Sequence, residues 1–172
     1  AGSDKIKKCL RIDLDTTDRK GLINKLKSLD IDLVVIVHEI PLAEGLGNYL
    51  RKNDFDVFGP NQDGAKLEYS KSWAKEFMKN ANIPTSKFWK IDSFEEAKKV
   101  INSSKDPLVV KADGLASGKG VFVPESTEKT LEAAEEIFKG KFGDAGEIVV
   151  LEERIEGPEV SVLSLIHISE PT

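Results

Sequence analysis

Lys111-Ala112-Asp113-Gly114-Leu115-Ala116-Ser117-Gly118-Lys119-Gly120 is the stretch on which the fold of this chain turns. The apolar run Pro107 to Lys111 leads into it and Val121-Phe122-Val123 leads out, which predicts two strands joined by a glycine-rich loop. In a dinucleotide-binding turn such a loop would open a helix instead. A P-loop needs a longer spacer between its glycines and a Ser or Thr after its lysine. Here three residues separate Gly114 from Gly118, and Gly120 follows Lys119. Glycines let a backbone approach an anion closely, and successive N–H groups can form an anion-binding nest. Lys111 would add a fixed positive charge at the strand end and Lys119 a mobile one at the loop tip. The set suits a polyphosphate. From the loop alone, a flexible solvent hairpin with incidental lysines fits equally well.

Downstream, Leu131, Ala134 and Phe138 mark a helix, and Ile148 to Leu151 reads as a strand. It runs into Glu152-Glu153-Arg154-Ile155-Glu156-Gly157-Pro158-Glu159. A strand ending in a short hinge can offer one backbone N–H and one C=O to a purine edge. An acidic residue further on can accept from ribose hydroxyls. Taken alone, the segment also reads as a charged, solvated turn after an edge strand.

Upstream, Ser93-Phe94-Glu95-Glu96 has capping-box spacing and opens a helix carrying Phe94, Ala97, Val100 and Ile101. A longer helix is predicted from about Gly64 to Ala81, with Leu67, Trp73, Ala74, Phe77, Met78 and Ala81 on one broad face. Ser70-Lys71 lies inside it, where Lys71 alone is an ordinary surface lysine. Before Gly59-Pro60 the pattern is β/α alternation. It consists of an amphipathic helix from Asp18 to Leu29, a buried parallel strand over Leu33 to Val37, a helix through Leu42, Leu46 and Leu50, and a strand at Val57-Phe58. His38 follows that first strand as a neutral strand-end histidine or a sugar-phosphate contact.

The chain has 172 residues, enough for one domain or two small ones. Lys and Arg are scattered among Asp and Glu, and the net charge is −5, so no basic stripe offers itself to nucleic acid. No apolar run reaches the roughly 20 residues that span a bilayer. A single cysteine, Cys9, leaves no internal disulfide framework and points to a reducing compartment. Residue 1 is Ala, so the lack of a visible signal peptide decides nothing. Leu163 to Thr172 read as the translation of a sequencing adapter joined to a truncated gene. They are set apart from fold and function.

In this order and spacing the three signals resemble the nucleotide site of the ATP-grasp superfamily. Within it the chain resembles the phosphoribosylamine–glycine ligase family. The segments that carry this are Phe58-Gly59-Pro60, Ser70-Lys71 with Trp73 to Met78, Ile83-Pro84-Thr85, Val110 to Val121, Phe142-Gly143-Asp144-Ala145-Gly146 and Val150 to Ser161. Further upstream, Glu39-Ile40-Pro41-Leu42 with Gly45 fits the family, and Ala1-Gly2-Ser3 matches its Asn-Ala-Gly-Thr. Val37-His38 replaces the usual Gly-Pro, and Tyr69 stands where Gly is common.

The resemblance implies an α/β fold, α+β in its second part. Residues 1–61 would end a Rossmann-like parallel β/α domain, 62–162 would begin an ATP-grasp domain, and 163–172 would be non-native. It implies a cytoplasmic, monomeric parent enzyme that joins glycine to 5-phosphoribosylamine with ATP, giving glycinamide ribonucleotide, ADP and phosphate. The alternatives are another ATP-grasp carboxylate–amine ligase, or an inactive nucleotide-binding fragment. Lys111 and Lys119 would be catalytic. Lys71, Lys111, Gly114, Ser117, Gly118, Lys119, Gly120, Glu152, Glu153, Arg154, Ile155 and Glu159 would hold the nucleotide. Gly2, Ser3, Glu39 and Asp113 would touch the other substrates. Ligands for Mg2+ or Mn2+ are expected downstream of this chain. Neither nucleic acid nor membrane is an expected partner.

Overall fold

The computed structural model describes residues 12–116 and 118–160. The expectations for Gly2, Ser3, Ser117 and the segment 163–172 lie outside the described residues. The first helix, α1 (Arg19–Ser28), begins where the Asp18 carboxylate accepts from the Gly21 amide at 3.0 Å. β1 (Leu33–Val35) pairs in parallel with β2 (Asp56–Phe58), Val34 opposite Val57. Two helices lie between them where one is expected, α2 (Glu39–Ala43) and α3 (Leu46–Arg51). Gly45, at φ +78°, leaves the helical region and starts the second. Leu22, Ile23, Leu46 and Leu50 form the buried cluster of this part, with Val34 and Val57 packed against it. The parallel pairing is as expected; full burial of the strand is not. Leu33 and Val35 are 54% and 53% exposed, because only the opposite face of the pair meets α1 and α3.

The helix expected from Gly64 to Ala81 is two, α4 (Gln62–Tyr69) and α5 (Lys71–Asn80). Ser70 is extended at φ −127°, ψ 104°, ending the first and capping the second, where its Oγ accepts from the Trp73 amide at 3.3 Å. The expected apolar face of α5 is also corrected. Its buried residues are Ser72 and Lys75, while Trp73 and Phe77 stack on each other at 5.3 Å on the exposed side.

The second sheet is antiparallel throughout, in the order β3 (Phe88–Ile91), β6 (Val149–Glu152), β4 (Val109–Ala112), β5 (Val121–Phe122). β3 is not in the expected set. β6 is an interior strand with all four residues buried, which removes the edge-strand reading. α6 (Phe94–Ser103) and α7 (Thr127–Glu136) cover one face, over a core that includes Ile91, Ile101, Val110, Ala112, Ile137, Val149 and Leu151. Ser93 sits at the α6 N-cap, but its hydroxyl makes no capping bond, so the expected capping box is not formed. Past α7 a wide turn (Ile137–Lys141) contains Gly140 at φ +92° and leads into a 3-10 turn (Gly143–Gly146). Among the described residues no helix is long and apolar enough to cross a membrane.

Candidate nucleotide site

Side chains alternate across a strand. Val110, Ala112, Val149 and Leu151 point into the core under α6 and α7, so Lys111 and Glu152 point to the other face. α5 packs against β6 and brings Lys75 to the same place. Lys111 Nζ lies 2.8 Å from Glu152 Oε1, and Lys75 Nζ lies 2.8 Å from Glu152 Oε2. Ser86 Oγ donates to Oε2 at 2.9 Å, and Lys75 also donates to Thr85 Oγ1 at 2.7 Å and Ser86 Oγ at 2.8 Å. Glu152 is 5% exposed. Its burial opposes ionisation, but the contacts with Lys111, Lys75 and Ser86 outweigh this and hold its carboxyl below the usual carboxylate range.

Lys71 lies one turn before Lys75, so both extend from one side of α5. The half-buried Lys71 ammonium donates to the Gly114 carbonyl at 3.1 Å and the Asp113 carbonyl at 3.4 Å. Burial lowers its pKa; the nearby Asp113 charge works against that and Lys111 adds to it. Lys71 is therefore not the free surface lysine that the segment alone suggests. The start of α5 also takes both oxygens of the Asp113 carboxylate. Ser70 Oγ donates to Oδ2 at 3.0 Å, and the Ser72 amide donates to Oδ1. A carboxylate at a helix N-terminus is favoured by the unpaired amides and the helix dipole. Asp113 thereby fixes the start of the glycine loop to α5.

The loop joins β4 to β5, and Gly120 does not open a helix. Its glycines divide by environment. A Cβ on Gly114 would sit 2.9 Å from Ala145, and one on Gly120 would sit 2.6 Å from the Ala116 methyl. Close packing requires glycine at both. Gly118 is different: φ is +74°, and among the described residues no atom beyond its chain neighbours lies within 4 Å of where its Cβ would be. Gly118 and Lys119 form the exposed tip, with the Lys119 amide donating to the Ala116 carbonyl at 2.9 Å. The Phe142–Gly146 segment forms the floor beneath. The Gly114 amide donates to the Ala145 carbonyl at 3.1 Å, and Phe142 packs against Phe122 at 6.2 Å.

Lys71, Lys111, Asp113, Gly114 and Glu152 are thus brought together. Lys119 and Gly118 stand out from that cluster on the loop. Glu153, Arg154, Ile155 and Glu159 are all exposed beyond β6. The Glu153 amide donates to the Lys87 carbonyl at 2.9 Å, and Arg154 lies 3.6 Å from Glu156. A cleft of about 580 Å³ opens beside them, lined by Lys87, Trp89, Leu108, Glu153 and Arg154 among others. Glu39 opens α2 and lines a different cleft, of about 340 Å³, with Val37 and Pro60. Sequence reasoning missed Lys75 and Ser86. The available signal was the four-residue step from Lys71 to Lys75, which puts two lysines on one side of a helix.

This geometry can be set beside known proteins. Residues 1–68 match the family model described as phosphoribosylglycinamide synthetase, N domain. Residues 69–170 match the model for its ATP-grasp (A) domain, a match that runs into the 163–172 segment. The chain is 43% identical over 164 residues to a phosphoribosylamine–glycine ligase of a Nostoc species, covering 95% of this chain and 39% of that protein. It is 43% identical over 155 residues to a trifunctional purine biosynthetic protein adenosine-3 of Chironomus tentans, covering 90% of this chain and 11% of that one. The chain thus spans well under half the length of these relatives. Its structure is similar to that of phosphoribosylamine–glycine ligase from Thermotoga maritima. The TM-score is 0.65 at 34% identity, over 78% of this chain and 33% of that one. A D-alanyl-alanine synthetase A from Vibrio cholerae, at TM-score 0.61 and 20% identity, shares the fold, over 73% of this chain and 38% of that one. The chain belongs to the phosphoribosylglycinamide synthetase family of ATP-grasp proteins.

Proposed function

We propose that this chain supplies the nucleotide-binding part of an enzyme that joins glycine to 5-phosphoribosylamine, consuming ATP and releasing glycinamide ribonucleotide, ADP and phosphate. The observation that carries this is the meeting of Lys71, Lys111 and the glycine loop at one end of the second sheet. The family relation supplies the reaction. A glycine carboxylate is a poor electrophile. Transfer of the γ-phosphoryl group to it makes glycyl phosphate. The amine of phosphoribosylamine then attacks the carbonyl, and phosphate leaves.

The chain's own residues bear on the first step by positioning and charge neutralisation. Lys71 and Lys111 face the phosphates in this reading, and Lys111 also lies near the purine edge. A polyphosphate would restore the charge preference that burial takes from Lys71. Gly114 to Gly120 form a lid whose exposed tip, Gly118-Lys119, closes over the phosphates, excludes water and protects the acyl phosphate. The hinge that begins at the end of β6, Glu152 to Ile155, reads the adenine through its backbone groups, with Arg154 and Ile155 also packing against it, while the Glu152 carboxylate stays with its lysines and Glu159 takes the ribose. Glu39 touches another substrate. A divalent metal would neutralise phosphate charge when bound. Among the described residues no cluster of His, Cys, Asp or Glu builds a site for it, and Glu152 is already paired with two lysines, so its ligands are assigned to the remainder of the parent protein. A cytoplasmic, monomeric parent completes the proposal.

The test is product analysis with the full-length enzyme. ADP release should require glycine and phosphoribosylamine together and should match glycinamide ribonucleotide formed. ADP release driven by a different carboxylate–amine pair would replace this reading with another ATP-grasp ligation.

A further inference from the structure

We infer that Lys75 is a positioning residue, which offsets the charge of Glu152 so that Lys111 keeps its own charge for the phosphates of the nucleotide. The inference rests on the nucleotide reading above.

Glu152 is a buried carboxylate on the same sheet face as Lys111. Paired with Lys111 alone, the two would form a neutral unit, and the site would lose one of its cations. Lys75 changes the balance. One carboxylate and two ammonium groups leave a net positive charge, and the more exposed of the two cations is Lys111. The Lys111 side chain is 25% exposed, that of Lys75 10% and that of Glu152 7%. An ammonium has three donors. Those of Lys75 are taken by Thr85, Ser86 and Glu152, so Lys75 is not available to a ligand and acts through Glu152. Among the described residues Lys111 has Glu152 as its ion-pair partner, which leaves donors of its ammonium for a ligand, and its charge is close enough to be felt by Lys71.

A lysine that merely holds the Thr85-Ser86 connection in place would make the same hydrogen bonds. The two roles separate when the Glu152 charge is also removed. The experiment uses the full-length enzyme with Lys75→Met, Glu152→Gln and the double variant. It measures the Michaelis constants for ATP and glycine, kcat, and binding of a fluorescent ATP analogue. Thermal unfolding of each variant shows whether it is folded.

Lys75→Met should raise the Michaelis constant for ATP about tenfold, the scale of one lost charge-assisted contact, with little change for glycine. The double variant should recover most of that loss, because removing Glu152's charge frees Lys111 again. A double variant as impaired as Lys75→Met, or an unchanged ATP constant in Lys75→Met, would overturn the inference. Lys75→Gln keeps donors for Thr85 and Ser86 while removing the charge. If Lys75→Met does not fold, Lys75→Gln with and without Glu152→Gln decides by the same criterion. The analogue also separates this inference from the proposed reaction. Wild-type enzyme that binds the analogue but makes no glycinamide ribonucleotide defeats the reaction and leaves the Lys75 comparison readable.

Discussion

Leu33-Val34-Val35 and Val149-Val150-Leu151 have the same composition in reverse order, and the molecule treats them in opposite ways. In β1 the outer two residues are more than half exposed, and in β6 all three are buried. The cause is position in the sheet. β1 has one strand neighbour among the described residues and helices on one face. β6 lies between β3 and β4, with α6 and α7 over one side and α5 against the other. A β-branched run thus announces a strand, and the number of elements around it sets how much water it loses. The charged cluster of the candidate site sits on the well-enclosed sheet. There, partial removal from water strengthens each ion pair and makes each unpaired charge costly.

The largest expected effect tests that difference directly. Leu151 is fully buried, and Leu151→Ala should cost about 2–5 kcal/mol of unfolding free energy through lost burial and the cavity left behind. Leu33→Ala should change it by no more than about 0.5 kcal/mol, as a surface substitution does. Urea denaturation of both variants checks this. Comparable losses would break the contrast between the two sheets.

The same contrast explains what was legible in the sequence. The strand–loop–strand reading around Gly114 to Gly120 holds because apolar runs bracket the loop closely, and such local pairing leaves few alternatives. Burial of Lys75 was not legible. A lysine on a helix ordinarily faces water, and what buries this one is Glu152, distant in sequence and adjacent only once β6 is paired. The break at Ser70 was hidden for a similar reason. Apolar spacing continues across it, and the partner that draws the start of α5 inward is Asp113 in the glycine loop. β3 was passed over because Phe88-Trp89-Lys90-Ile91 is short and follows directly on Ile83-Pro84-Thr85, which reads as a break. Gly114 and Gly120 were expected to admit an anion. Their crowding against Ala145 and Ala116 is a packing fact that no local pattern shows.

The next effect sharpens the comparison within the well-enclosed sheet. Lys111→Ala should weaken ATP use by about tenfold or more, the loss of a charge-assisted contact worth roughly 1.5–3 kcal/mol. Lys129→Ala, on the exposed side of α7 with a single ion pair to Glu125 at 3.5 Å, should leave ATP kinetics unchanged. Equal Michaelis constants for ATP in the two variants would remove Lys111 from the site.

A smaller effect concerns acid. Glu152 has a folded-state pKa below its ordinary value of 4.5, held there by Lys111, Lys75 and Ser86 against the opposing pull of burial. A carboxylate of this kind stabilises the fold fully above the ordinary value, and that share is lost as the pH falls through the folded-state pKa. Glu152→Gln lacks the titration. The stability gap between wild type and Glu152→Gln, read from urea midpoints, should therefore narrow as the pH falls below about 4.5. A gap that stays constant as the pH falls would mean that the ion pairs contribute no net stability.

The smallest effect lies where the enclosed sheet gives way to exposed chain. Beyond β6, Ile155 is 75% exposed and Glu159 is exposed, so a role for Glu159 depends on a ligand rather than on the fold. Adenine recognition by a hinge works through backbone groups, which side-chain changes do not remove. Ribose recognition needs a side-chain acceptor. Glu159 follows the turn at Gly157-Pro158, within reach of a sugar whose base lies at the hinge. An ionised carboxylate accepting from two hydroxyls makes stronger bonds than an amide does. Glu159→Gln keeps the size and one acceptor oxygen but loses the charge, a difference of about 1 kcal/mol. In the full-length enzyme it should raise the Michaelis constant for ATP several-fold, leaving those for glycine and phosphoribosylamine nearly unchanged. It should also narrow the preference for ATP over 2′-deoxy-ATP, since the missing hydroxyl no longer leaves a carboxylate unpaired against the ligand. Its stability should match wild type, in contrast to Leu151→Ala. Kinetics with both nucleotides decide the matter. If the ratio of ATP to deoxy-ATP use is the same in wild type and variant, Glu159 belongs to a solvated turn, and nucleotide recognition ends with the hinge.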